Sequence, residues 1–130
     1  MIDPYEEYEE YLDLKGNIFI VAKQLADKRL ISYINKIIWK IMKSADAVNL
    51  IPDNLDFVYI DGNHSYEYVL RDIELYFPKV KEGGVVGGHD YHNESKAREV
   101  KKAVDEFTKK NQLKLHIKGG LTGTDWWVIK

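Results

Sequence analysis

Apolar positions along this chain recur at two spacings, and the spacing switches back and forth from one stretch to the next. From residue 17 to 33, Phe19, Ala22, Leu25, Ala26 and Ile31 return at near-helical intervals, which predicts a helix. "KIIWKIM" (36–42) is short and rich in β-branched residues, so it predicts a strand. "SADAVNLI" (44–51) predicts a short helix capped by Ser44 and stopped by Pro52. "LDFVYI" (55–60) is a second predicted strand. Tyr66, Val69, Leu70, Ile73 and Phe77 lie at i, i+3, i+4, i+7 and i+11, one face of a helix with Ser65 as its cap and Pro78 at its end. "GGVVGG" (83–88) is a glycine-bracketed apolar strand that runs into "HDYH". Residues 95–111 set Ala97, Val100, Ala103, Val104 and Phe107 on one helical stripe. "LKLHIK" (113–118) alternates, "GGLTGT" turns, and "DWWVIK" (125–130) closes the chain as a strand.

From residue 36 onward, strands therefore alternate with helices until two strands follow each other directly. Alternation implies crossover connections and a mainly parallel sheet. The last two strands, joined only by a Gly-rich turn, are expected to pair antiparallel. The expected fold class is α/β, a doubly wound sheet with a C-terminal hairpin at one edge. With 130 residues and no linker, repeat or low-complexity segment, residues 1–130 are expected to form a single domain.

Composition narrows the function more than the fold. The hydrophobic share is 45% and the charged share 31%, those of an ordinary globular protein. A net charge of −2 supplies no basic field, so neither nucleic acid nor a membrane surface is an expected partner. No cysteine is present, which excludes disulfides, thiolate metal sites and Cys nucleophiles. No apolar run approaches the ~18–20 residues needed to cross a bilayer. The acidic start "MIDPYEEYEEY" has no signal-peptide core, so the expected location is the cytoplasm. The Asn-X-Ser sequons at Asn63 and Asn93 read as chance occurrences.

In open parallel sheets, ligands bind beyond the carboxyl ends of the strands. Asp61 and Asp90 each end a predicted strand, and Asp3 precedes the first helix. If the two strands are neighbours, Asp61 and Asp90 converge, and paired carboxylates repel unless a cation neutralises them or one stays protonated. Such oxygen ligands suit Mg²⁺, Ca²⁺ or Mn²⁺. His64, one turn beyond Asp61, is then placed as a general base. A plainer reading stands beside this one: an Asp between strand and helix is often a turn or cap residue. On that reading His64 caps or supports, His89 is a core or surface imidazole, and His92 and His116 are solvated. "HDYH" could contribute to a two-His-one-carboxylate iron site, but both histidines would come from one tight loop and no third ligand is clear. Gly83, Gly84, Gly87 and Gly88 match no phosphate-binding pattern and suit turns and close packing instead.

The ordered series Asp-Gly-x-His-Ser-Tyr, helix, Gly-Gly, Gly-His-Asp-Tyr, helix and terminal "WWVIK" resembles the C-terminal half of class I S-adenosylmethionine-dependent methyltransferases. It is most similar to the macrolide and sugar O-methyltransferase group, with cephalosporin-hydroxylase-like proteins nearby. The similarity extends back through "KSADAVNLIPD" to "IDPYEEY". It implies a Rossmann-like fold, Asp61 and Asp90 as ligands of a divalent metal (Mg²⁺ above others), and His64 as the base that deprotonates an acceptor hydroxyl. It further implies Asp3 on the ribose of S-adenosylmethionine, Ser44 in the adenine pocket, and Asp61 at the cofactor site as well as on the metal. The acceptor would be a small-molecule or sugar hydroxyl. The family's first strand and its glycine-rich loop have no counterpart here, so the domain is expected to be N-terminally truncated, with a homodimer as one way to complete the sheet. Two other readings stay open: a non-catalytic, dimerising or binding remnant, and a metal-dependent hydrolase or oxygenase using Asp61, His64, His89 and Asp90.

Overall fold

The computed structural model describes residues 1–6, 17–92, 97–119 and 123–130, which form two compact units, Met1–Ala47 and Val48–Lys130. The second unit is built on a four-stranded sheet. β1 (Leu55–Ile60) and β2 (Val80–Gly88) pair in parallel, with Phe57 opposite Val85 and Ile60 opposite Gly88. β3 (His116–Gly119) and β4 (Thr124–Ile129) form an antiparallel hairpin, and β4 also pairs antiparallel with β2, giving the order β1-β2-β4-β3. The α/β expectation and its edge hairpin hold; among the described pairings only β1–β2 is parallel, and the two helices of this unit pack on one face of the sheet.

Alternation along the strands gives the sheet two unlike faces. On one face, Val86, Trp126 and Val128 are fully buried with Val58 and Ile60 beside them, against helices α3 (Tyr66–Tyr76) and α4 (Ala97–Lys110). The helices present the stripes that the periodicity predicts: Val69 and Ile73 from α3, and Val100, Ala103, Val104 and Phe107 from α4, all buried. Tyr76 joins them although it lies off the predicted face. Each fully buried aliphatic or aromatic side chain of this kind contributes about 1.5–3 kcal/mol. On the other face, Phe57, Tyr59, Val85, Gly87, Trp127 and Lys118 line an open groove of about 350 Å³. There Tyr59 donates to Asp125 Oδ1 at 2.6 Å.

β2 begins three residues earlier than "GGVVGG" predicts, and its pairing with β1 slips between Leu55 and Phe57. The irregularity is housed at Gly83, whose φ of +76° is open to glycine at little cost. Ser65 occupies the N-cap position of α3, but its hydroxyl makes no capping bond; Asn63 Oδ1 instead accepts the Ser65 N–H at 2.8 Å. The turn "GGLTGT" at 120–122, the first residues of the predicted 95–111 helix, Asn93, and residues 7–11 of the acidic start lie outside the described residues.

The first unit departs further from expectation. "KIIWKIM" is not a strand; among the described residues its only pairing is a single parallel bridge between Ile2 and Lys40. A strand exists only as far as a partner runs beside it. Here the partner is Met1–Asp3, held by Lys40 N–H to Met1 O (2.9 Å) and Asp3 N–H to Lys40 O (3.2 Å). The path then turns at Tyr5, whose φ is +50°. α1 (Ile18–Arg29) forms as the spacing predicts and passes into a 3-10 turn (Ile31–Lys36), yet neither contains a buried residue. α2 (Ser44–Ala47) starts at Ser44, so Ser44 is its first helical residue rather than its cap; a 3-10 turn, Val48–Leu50, follows as the second unit begins.

Candidate functional site

Parallel pairing of β1 with β2 brings their carboxyl ends side by side, and the chain leaves each end into a loop. After Ile60 come Asp61, Gly62, Asn63 and His64 before α3; after Gly88 come His89 and Asp90. The ladder persists for one more rung, His89 N–H to Ile60 O at 3.2 Å. Asp90 then turns the chain in a left-handed conformation, φ +60°, which Asp tolerates better than most side chains. Tyr91 N–H donates to Thr124 O at 2.9 Å, fixing the far side of the turn to β4.

The result is a cluster in which one ligand atom each from Asp61, His64 and Asp90 lies within 4.8 Å of the others. His64 Nε2 is 2.8 Å from Asp90 Oδ2. His89 Nδ1 approaches Asp90 Oδ1 at 3.2 Å, and His92 Nε2 lies 3.6 Å from the same oxygen. Burial pushes the Asp90 carboxyl up, but the hydrogen bond from His89 and the charges of His89 and His64 outweigh it, so the group is held below the ordinary carboxylate range. Asp61 is exposed while His64 and Asp90 are partly buried, so the cluster opens on the Asp61 side. Two carboxylates and an imidazole at this separation fit a divalent cation with mainly oxygen ligands.

Residues 1–91 match the family described as "Methyltransferase domain". The chain belongs to this methyltransferase-domain family. It is also 32% identical over 60 residues to an uncharacterized protein, R132, of Acanthamoeba polyphaga mimivirus, a match covering 46% of this chain and 27% of that one. Among solved structures it is similar to a candidate caffeoyl-CoA O-methyltransferase of Staphylococcus aureus, at TM-score 0.64 and 16% identity over 89% of this chain and 62% of that one. An O-methyltransferase of Bacillus cereus in complex with SAH is similar at TM-score 0.57 and 14% identity, over 96% of this chain and 60% of that one. At these identities the solved structures establish the Rossmann-like methyltransferase fold. The chain spans about a quarter of the mimivirus protein and about 60% of these two solved chains.

Within this methyltransferase domain, three predicted site residues meet in one unit and two belong to the other. Asp61, His64 and Asp90 meet in the second unit; Asp3 and Ser44 belong to the first. Asp3 is exposed, and its Oδ1 accepts the Tyr5 N–H at 2.7 Å. Two histidines read from sequence as solvated are partly exposed and also have neighbours. His92 is near Asp90, and His116 stacks on Trp127 with ring centroids 5.3 Å apart. Three supports of the site were also missed. Tyr91, buried, donates to Asp105 Oδ1 at 2.5 Å and so ties the residue after Asp90 to α4. Gly123 lies directly against His89, since a Cβ there would stand 2.4 Å from the ring. Trp126 lines the small chamber under Asp61 and His64. Only Tyr91 had a local signal, its place directly after Asp90.

Proposed function

We propose that this domain transfers a methyl group from S-adenosylmethionine to the hydroxyl of a small molecule or sugar. The observation that carries the reading is the convergence of Asp61, His64 and Asp90 at the carboxyl ends of two adjacent parallel strands in a methyltransferase-family chain. His64 takes the hydroxyl proton, and the Asp90 carboxylate, 2.8 Å from Nε2, favours the imidazolium so formed. The alkoxide oxygen gains the methyl carbon as the carbon–sulfur bond breaks, and S-adenosylhomocysteine leaves. Asp61 and Asp90 would hold a divalent cation, Mg²⁺ by preference, which would lower the pKa of the acceptor hydroxyl and orient it. Asp61 also borders the donor. In the first unit, Asp3 accepts hydrogen bonds from the ribose hydroxyls, and Ser44 lies against the adenine. The reaction is assigned to the cytoplasm; among the described residues, no helix is long and apolar enough to cross a membrane.

Calorimetry with S-adenosylmethionine and S-adenosylhomocysteine, with and without Mg²⁺, tests this directly. Binding of both is expected, and no detectable heat at millimolar ligand would sink the enzymatic reading for this chain.

A separate observation favours a second role, as a self-associating module. Among the described residues β1 is an edge of the sheet, and it presents Phe57, 57% exposed, and Tyr59, 47% exposed. An edge strand with exposed aromatics is a template for pairing with a second copy. Sedimentation showing a dimer that binds no S-adenosylmethionine would favour this role over catalysis, and a monomer at high micromolar concentration would remove it.

A further inference from the structure

Beneath the Asp61–His64–Asp90 cluster lies a chamber lined by Ile60, Asp61, Asn63, His64, His89 and Trp126, with Val69 and Val100 from the helices closing it. It offers about 10 Å³ to the centre of a water-sized sphere, the room of one water molecule and too little for any substrate group larger than that. Trp126 is 1% exposed, and among the described residues its Nε1–H has no hydrogen-bond acceptor. Buried indole N–H groups normally find a partner, because an unmet donor away from water is costly.

Gly88 lies between that donor and a backbone acceptor. A Cβ on Gly88 would stand 2.9 Å from Trp126 Nε1 and 2.3 Å from the Ile60 carbonyl oxygen, so the two atoms are no more than about 5 Å apart. That separation suits a bridge of two ordinary hydrogen bonds through one oxygen atom. The Ile60 carbonyl accepts the His89 N–H with one lone pair and has a second to offer.

We propose that the chamber is a binding site for a single structural water, which accepts from Trp126 Nε1–H and donates to Ile60 O. Its second hydrogen faces the polar mouth formed by Asp61, Asn63 and His64. The water ties β4 to the last residue of β1 across a glycine that must stay without a side chain. It thereby fixes the peptide from which Asp61 projects, so Trp126 is a positioning residue for Asp61. This positioning role rests on the reading of Asp61 as a cation ligand; the water site does not.

The test compares crystal structures of the wild type and Trp126→Phe, which keeps an aromatic ring but removes the donor together with part of the indole, alongside Mn²⁺ titrations of both. A water within hydrogen-bond distance of Trp126 Nε1 and Ile60 O is expected in the wild type and absent from the variant. Mn²⁺ affinity should fall about tenfold in the variant, the usual scale for loss of an outer support. Val128→Ala, which costs packing without touching the chamber, should leave Mn²⁺ affinity unchanged. A dry chamber in the wild type, or the same water retained in Trp126→Phe, overturns the proposal. Should the variant fail to fold, magnetisation transfer from water to the Trp126 indole proton in the wild type decides it, a protected indole with no such transfer being the negative result. If the wild type binds no Mn²⁺, the positioning role falls, while the crystallographic comparison still decides the water site.

Discussion

In the unit Val48–Lys130, Ile73, Val86, Val104 and Val128 are removed entirely from solvent. In the unit Met1–Ala47, Ile20, Val21, Leu25, Ile34 and Ile38 have the same chemistry and remain exposed. Both units contain an amphipathic-looking helix. α4 carries its apolar residues in one stripe and buries it, whereas α1 sets Phe19 and Ile20 off the face shared by Ile18, Val21 and Leu25 and buries none of them. The difference teaches that apolar content and helical spacing suffice to form a helix but not a core. Burial needs a narrow stripe and a second surface of matching shape. The site follows the core: Asp61, His64 and Asp90 are held by strands and helices that pack, while Asp3 is held by one bridge and a local turn.

That contrast can be broken or sharpened experimentally. The largest effect is expected at the site: His64→Ala should lower the methyl-transfer rate about 10²–10⁴-fold, the range for loss of a positioned base, measured under saturating donor. Asp3→Ala, if it touches only the ribose, should instead raise the apparent KM for the donor and leave kcat nearly unchanged. Ile73→Ala, in the packed unit, should destabilise by about 3–4 kcal/mol in urea unfolding. Tyr91→Phe should cost about 1–2 kcal/mol, since it removes the hydrogen bond to the Asp105 carboxylate. Leu25→Ala, on α1, should shift stability by less than about 0.5 kcal/mol. A shift as large as that of Ile73→Ala would show that α1 belongs to a core after all.

An alkaline titration probes the packed unit in another way. Tyr76 is pushed up to about 12, by burial first and then by the charge of Asp72. A group with its folded pKa raised contributes stability that is fully present below its unfolded value, near 10 for Tyr, and is lost as pH climbs through the folded one. The second unit should therefore weaken between about pH 10 and pH 12, and Tyr76→Phe should flatten that slope in urea midpoints recorded across the range. An unchanged slope would mean that the buried phenol is not what senses base.

Much of the second unit was legible in the sequence. β1 falls on "LDFVYI" residue for residue, and α3 and α4 expose in their spacing the faces they bury. These segments have strong periodicity and a partner that is also strongly patterned. "KIIWKIM" has the composition of a strand without the partner, so propensity there led nowhere. Asp61, His64 and Asp90 were legible as chemistry because each stands just past a recognisable strand. Their shared supports were not. Trp126 and Gly123 lie far along the chain from the residues they touch, and His92 reaches Asp90 only because Asp90 takes a left-handed turn.

By itself, the sequence determined which segments become helix or strand in the second unit, and which side chains carry charge or an imidazole to the sheet's rim. Those are properties of spacing and residue type, expressed within a few residues of chain. Only the tertiary structure decided that Asp61 and Asp90 meet, because that depends on β1 and β2 being parallel neighbours in one register. It alone decided as well that Trp126 Nε1 and the Ile60 carbonyl lie near each other across Gly88. Meetings of this kind rest on sums of weak contacts between distant segments, and no local pattern encodes a distance between two strands.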